Sequence, residues 1–404
     1  MASVDVLVIG GGLAGAAAAL TAREAGASVL LCSRAPGATA LSSGAADVAA
    51  IGDLPLREAV RELARRPGHP YALLDDSALE RGLAVLRALG YHGNGQRNVW
   101  LLSPLGCVKP AALAQPAIAA GDLRALPRDA RPGVVSFCGA QAVQAPLLVK
   151  GLQRFFPQAL LVASKLFSTR ADALRAVPEL AAELDRPGRR AELGAELQQS
   201  AATHLFLPTL GFAEGARAEL EAAAGKPVYE LLSGPPSVPG LRLQRAIDHA
   251  LRAAGVQVRA GIVEGAPALQ LISGSSCEPL EASAVVLATG RFIGGGIRAT
   301  PGLRETVFGL PAFAGERSSI IPLATEELFA RSPGGSHAGM RAGLRVGPGL
   351  RVPGASLPLF AAGSVIGGYD FSRDEGGLGA AAILGSAAGL NAAQAARLPA
   401  RASA

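Results

Sequence analysis

Val4-Asp5-Val6-Leu7-Val8-Ile9-Gly10-Gly11-Gly12-Leu13-Ala14-Gly15 is the stretch on which the fold turns. Val4 to Ile9 reads as a short apolar strand, Gly10-Gly11-Gly12 as a turn, and Leu13 to Ala25 as an Ala-rich helix stopped by Gly26. Ser28 to Cys32 supplies the next strand. A strand-turn-helix-strand unit makes a parallel pair with a right-handed crossover, so the turn lies at the carboxyl end of the first strand, where open α/β sheets bind ligands. Gly10, Gly12 and Gly15 occupy the three glycine positions of G-x-G-x-x-G. The first permits the tight turn, the second lets a diphosphate approach the backbone, and the third lets helix and strand pack closely. Unpaired N–H groups and the positive dipole end of the helix add an anion site over Leu13 and Ala14.

Outward from this unit, 404 residues predict two or three lobes at roughly 150 residues per domain. Half of the residues are hydrophobic but only 4% are aromatic, so Ala, Leu and Val must build closely packed helices and strands. The formal charge of +6 comes from four lysines and 34 arginines set against 32 acids. The basic residues are scattered and not interleaved with aromatics, which excludes a nucleic-acid surface. Cys32, Cys107, Cys138 and Cys277 form no C-x-x-C pair and no cluster with the histidines, so they read as buried small hydrophobes rather than zinc or iron–sulfur ligands. The N-terminus lacks the signature of a secretory signal, making the cytosol the expected compartment. Gly376 to Ala396 is uncharged and long enough to span a bilayer, but its Gly/Ala content, with Asn391 and Gln394, predicts a buried helix.

From about Ile51 to Gly240 Pro/Gly-rich joints surround helical patterns at Leu56 to Arg66 and Ala171 to Glu183, with short strands at Val134 to Cys138 and His204 to Leu207. Ser233-Gly234-Pro235-Pro236-Ser237-Val238-Pro239-Gly240 is dense in breakers and marks a return to the first lobe. A helix over Leu241 to Ala254, strands at Val256 to Arg259, Ala284 to Ala288 and Leu359 to Ala362, and a helix over Leu378 to Ala396 complete it. The expected fold is α/β: a doubly wound, Rossmann-like nucleotide-binding domain from residues 1–50 and 240–404, with residues 51–239 inserted as a second domain.

The acid that usually ends the second strand and holds an adenosine ribose is replaced by Cys32-Ser33-Arg34. Ser33 can bond a hydroxyl and Arg34 a phosphate, or both are solvated loop residues. The missing carboxylate weakens adenine-dinucleotide binding but leaves flavin binding intact. Thr39-Ala40-Leu41-Ser42-Ser43-Gly44 lies where flavoproteins of the glutathione-reductase type bring small residues past the isoalloxazine, and Ser42, Ser43 and Gly44 are candidates for that edge or for an ordinary turn. Thr289, Gly290 and Gly363 sit at strand ends facing the same ligand edge. Gly376, Gly377 and Leu378 open the last helix, whose dipole suits the pyrimidine edge of a reduced flavin or, alternatively, close packing on the sheet. Arg242 is the candidate phosphate clamp, with a structural arginine at the joint as the competing reading. His337 is the candidate base, against a solvated loop histidine, and His69, His92, His204 and His249 have weaker claims.

The glycine motif, Ala40 to Gly44, Pro235-Pro236-Ser237-Val238-Pro239-Gly240-Leu241-Arg242-Leu243-Gln244, Val286 to Gly296 and Leu359 to Asp370 together resemble the family of anaerobic glycerol-3-phosphate dehydrogenase B subunits. The proline-rich phrase is the most specific piece, and the resemblance spans nearly the whole chain; residues 51–230 match mainly in length and in joints such as His69 to Leu74. It implies a flavin subunit, FMN by family expectation with FAD as the alternative, of a complex that oxidises sn-glycerol 3-phosphate to dihydroxyacetone phosphate and passes electrons to quinone. A companion flavoprotein subunit and a membrane-anchoring iron–sulfur subunit would be its partners, holding it at the cytoplasmic face of the membrane. An independent fumarate-reductase-like flavin oxidoreductase and a non-catalytic electron-relay subunit are the alternatives.

Overall fold

The computed structural model describes residues 2–137, 144–265, 268–299, 302–314, 317–318, 328–332, 335, 337–374 and 376–398. It divides into two compact units: Met1–Thr39, Asp47–Leu89 and Ala246–Ala404 form the first, Ala40–Ala46 and Gly90–Arg245 the second. In chain order, the first unit opens with β1 (Ala2–Ile9), α1 (Leu13–Glu24), β2 (Val29–Ser33), α2 (Leu56–Ala64) and α3 (Ala78–Ala88). The second supplies β3 (Pro132–Ser136), α4 (Ala145–Leu152), β4 (Leu160–Ala163), α5 (Val177–Leu184), α6 (Arg189–Gln198), β5 (His204–Leu207), α7 (Ala216–Ala224) and β6 (Val228–Glu230). Helix α8 (Val238–Ala253) leads out of it into β7 (Gln257–Ala260), β8 (Ile262–Glu264), β9 (Gln270–Ser273), β10 (Ser276–Leu287), β11 (Leu359–Ala361) and α9 (Leu378–Ala396) of the first.

In the first unit the parallel order is β7-β2-β1-β10-β11, and the amino-terminal half of β10 turns aside to pair antiparallel with β9, which pairs with β8. Val6, Leu7 and Val8 are wholly buried, so β1 is covered on both faces, as a central parallel strand must be. Helices α1 and α9 pack on this sheet and against each other, and their small residues set the spacing between them. A Cβ on Gly385 would lie 2.3 Å from the Ala14 carbonyl oxygen and one on Gly389 2.1 Å from that of Ala18. Backbone-to-backbone approach of this kind explains a long uncharged Gly/Ala helix without a membrane. No helix among the described residues is long and apolar enough to cross one.

The second unit is a four-stranded parallel sheet of order β6-β5-β3-β4. Alternation splits its core in two, because successive side chains point to opposite faces. Val135, Leu205 and Leu207 pack under α5, α6 and α7, whereas Val134, Phe206 and Tyr229 pack with Leu148 and Leu152 of α4.

Three expectations change. Residues 51–89 group with the first unit rather than with the insert: Tyr71 donates its hydroxyl to the Val48 carbonyl at 2.9 Å, and Gly82 of α3 packs against Ile383 of α9. The helix expected over Ala171 to Glu183 is broken: Thr169 accepts from the Asp172 N–H and donates to its carboxylate, a turn spans Asp172–Leu174, and α5 starts afresh with Pro178 in its first turn. Cys107 and Cys277 are exposed rather than buried, while Cys32 is buried; Cys138 lies outside the described residues.

Candidate functional site

At the carboxyl end of β1, Gly10 adopts φ +125° and donates its N–H to the Cys32 carbonyl at 2.8 Å. A Cβ there would stand 2.2 Å from the Ala288 carbonyl oxygen, and one on Gly15 only 1.9 Å from the Gly10 oxygen. The turn is thus pinned between β10 and its own helix with no room for side chains. Gly12 caps α1, whose backbone ladder begins with Ala16 N–H to Gly12 oxygen at 2.9 Å. Thr39 Oγ1 accepts the buried Leu13 N–H at 2.8 Å, and the N–H groups of Ala14 and Gly15 belong to the turn that every helix leaves unpaired. Such an end attracts an anion.

The first unit holds most of the expected positions. Ser33 spends its hydroxyl on the Ala35 carbonyl at 2.7 Å, and Arg34 is exposed. Thr289 Oγ1 is buried without a hydrogen-bond partner, and Gly290 follows at φ +76°. After β11, Gly363 at φ +68° rests on Ala14, its absent Cβ falling 2.6 Å from the alanine's. Gly377 caps α9, and a Cβ on it would lie 3.3 Å from Oδ2 of Asp47, so a carboxylate already stands at that dipole end. Gly376 donates to the Phe371 carbonyl, and Leu378 begins the helix.

Ser42, Ser43, Gly44 and Arg242 belong instead to the second unit. There the two most informative phrases of the sequence meet: Ser233 donates its N–H to the Ser43 carbonyl at 3.1 Å, and Ser237 donates its hydroxyl to that of Ser42. Gln115 donates its N–H to the Gly44 carbonyl at 3.0 Å, and Gly240 leaves no space for a Cβ beside the Ala40 carbonyl. Arg242 is committed: it donates to both oxygens of the fully buried Glu230 carboxylate at 2.6 and 2.8 Å, to Gln115 Oε1 at 3.2 Å and to the Gly211 carbonyl. The geometry makes it a structural arginine instead of the expected phosphate clamp. His337 accepts the Ala330 N–H on Nδ1 at 3.1 Å.

The chain matches the family model described as an FAD binding domain over residues 5–379. A Halobacterium salinarum protein, named as the probable B subunit of an anaerobic glycerol-3-phosphate dehydrogenase, is 31% identical over 97% of this chain and 98% of its own. The chain belongs to the family of anaerobic glycerol-3-phosphate dehydrogenase B subunits. A second such B subunit, from Pectobacterium atrosepticum, is 32% identical over 91% of this chain and 93% of that one. An open flavocytochrome c3 fumarate reductase structure aligns over 98% of this chain and 79% of that one at 13% identity and a TM-score of 0.43. With this B-subunit family comes flavin-dependent oxidoreductase chemistry, and the matching domain is an FAD binder, not the FMN binder expected first.

Sequence reasoning missed a buried polar cluster in the first unit. Asp374, 4% exposed, pairs with Arg66 and accepts the Asp370 N–H at 2.8 Å, and His69, 2% exposed, accepts the Tyr71 N–H on Nδ1 at 3.2 Å. Burial first, then the Arg66 and Arg341 cations, push the His69 imidazole down to about 4, against the pull of Asp374. Its folded value lies below the unfolded one, so its contribution to stability is intact above about pH 6.5 and is lost as pH falls towards 4. The loss amounts to about 3 kcal/mol at roughly 1.4 kcal/mol per unit. The melting temperature of the wild type should therefore fall more steeply between pH 6.5 and 4.5 than that of His69→Gln; parallel curves would show that this imidazole does not govern acid stability.

Proposed function

We propose that this chain is the flavin subunit of a glycerol-3-phosphate:quinone oxidoreductase: sn-glycerol 3-phosphate loses two electrons and two protons to become dihydroxyacetone phosphate, and the electrons pass on to quinone. The observation that carries the proposal is the end-to-end alignment with B-subunit relatives over a chain whose first unit is built around an anion-accepting glycine turn. FAD is the cofactor we assign, because a dinucleotide-type turn and an FAD binding domain agree. The Gly10-Gly11-Gly12-Leu13-Ala14-Gly15 turn would take the diphosphate at the N–H groups of Ala14 and Gly15, with Gly10 and Leu13, whose own N–H groups are engaged by Cys32 and Thr39, shaping it. The Ser33-Arg34 corner would face the ribose, and Thr289, Gly290 and Gly363 would line the strand ends. Gly376, Gly377 and Leu378 would approach the ring. The orphaned Thr289 hydroxyl and the cradle that any Cβ would fill both fit such a group. When bound, the flavin supplies a two-electron acceptor. The partners are a companion flavoprotein subunit and an iron–sulfur subunit that holds the complex at the inner face of the membrane.

A second reading has a specific observation in its favour. With Arg242 engaged by Glu230 and His337 holding the Ala330 N–H, neither candidate catalytic side chain is clearly poised for an incoming substrate. The chain would then relay electrons, and the companion subunit would oxidise the alcohol. Purified chain is the test: its visible spectrum, chromatography of the released chromophore, and anaerobic addition of sn-glycerol 3-phosphate with and without the companion subunit. FAD bleached by substrate alone supports the catalytic reading, and FAD bleached only with the companion supports the relay. A colourless chain that rebinds no flavin overturns both.

A further inference from the structure

Arg291 follows the Thr289-Gly290 end of β10 and is 5% exposed. Its Nε donates to the Ser364 carbonyl at 3.1 Å, and Nη2 to those of Ile366 at 3.1 Å and Tyr369 at 3.3 Å. The guanidinium carbon is 5.7 Å from the Tyr369 ring centre. Nη1 is buried with no hydrogen-bond partner, and no carboxylate among the described residues reaches ion-pair distance. Asp370 is the acid whose field it feels, but one carboxylate oxygen of Asp370 already accepts the Ser372 N–H at 3.0 Å and the Ser372 hydroxyl at 2.6 Å. Carbonyl dipoles solvate a cation without neutralising it, and an unpaired buried charge is costly enough that proteins seldom keep one without a use.

Its position indicates the use. The three carbonyls belong to the loop after β11, and the same loop sets Gly363 against Ala14 in the first turn of α1. Arg291 therefore both holds that loop, which rests on the glycine turn, and keeps there a guanidinium that no carboxylate among the described residues contacts, in a dry region where fields carry far. Two electrons and one proton convert a neutral oxidised flavin ring into an anionic reduced one, so a fixed cation nearby favours the reduced form. Resting on the flavin reading above, we propose that Arg291 is a positioning residue that raises the reduction potential of the flavin bound by the first unit.

The test is the midpoint potential of flavin on the purified chain, by dye equilibration, together with the dissociation constant of the oxidised form. Arg291→Gln, which removes the charge, should lower the preference for reduced over oxidised flavin at least tenfold, about 30 mV for a two-electron couple. Arg291→Lys should keep most of the wild-type potential even where it weakens oxidised-flavin binding by loosening the loop. An unchanged potential in Arg291→Gln, or a fall in Arg291→Lys as large as in Arg291→Gln, overturns the proposal. If Arg291→Gln does not fold, the pair Ser364→Asp and Ser364→Asn reads the same field, because the aspartate supplies the missing counter-charge. A potential at least tenfold in ratio below that of the asparagine variant supports the proposal, and equal potentials overturn it. Wild-type chain that binds no flavin fails the flavin reading itself, an outcome distinct from flavin bound at an unaltered potential.

Discussion

Gly15→Ala should weaken flavin binding about 100-fold. The added Cβ would stand 1.9 Å from the Gly10 carbonyl oxygen and 3.4 Å from the Ala288 Cβ, and neither is the far end of a flexible side chain. Relief requires opening the turn between β1 and α1. The free protein can open it, whereas a chain holding a diphosphate must keep it closed, so the strain is charged to binding. Overpacking of this kind costs up to about 3 kcal/mol, which corresponds to about 100-fold at 1.4 kcal/mol per tenfold. Gly234→Ala is the matched control, since nothing lies within 4 Å of a Cβ there. Fluorescence titration of flavin-free chain with FAD measures both, and equal affinities in wild type and Gly15→Ala would locate the cofactor away from this turn.

Arg242→Met should lose about 3–5 kcal/mol of stability, because it strands the Glu230 carboxylate in the core of the second unit with its charge unpaired. The loss should be read as a shift in the urea midpoint, with the flavin spectrum of the folded protein unchanged. Replacing both partners, Glu230→Leu with Arg242→Met, should recover part of it, the mark of a coupled buried pair. A phosphate clamp behaves oppositely: Arg242→Met would then leave the midpoint in place and weaken only binding of the phosphorylated substrate.

These two predictions fall on different sides of what a sequence can tell. Gly10, Gly12 and Gly15 declare themselves because their roles are local: a strand, a turn and a helix within 12 residues, each with its own periodicity. The last helix is equally legible, its expected and observed bounds both running from Leu378 to Ala396. Arg242 was legible as a residue of interest but not in its role. Its partners lie 12, 31 and 127 residues away, and nothing in a Pro-rich joint says whether an arginine will meet a carboxylate or solvent. Asp47 at the start of α9 and the Asp374–Arg66 pair left no local signal for the same reason.

By itself, then, the sequence determined the β1-turn-α1-β2 unit, the α/β class and the family, since each rests on short-range pattern or on phrases that survive as strings. Tertiary structure alone decided that residues 51–89 belong with the first unit, that Ala40 to Gly44 is bound to the proline-rich joint, and that Arg291 grips carbonyls 73 to 78 residues downstream. The physical reason is one of range. Propensity and periodicity act over a few residues, whereas burial and charge pairing depend on which distant segments the folded chain brings together.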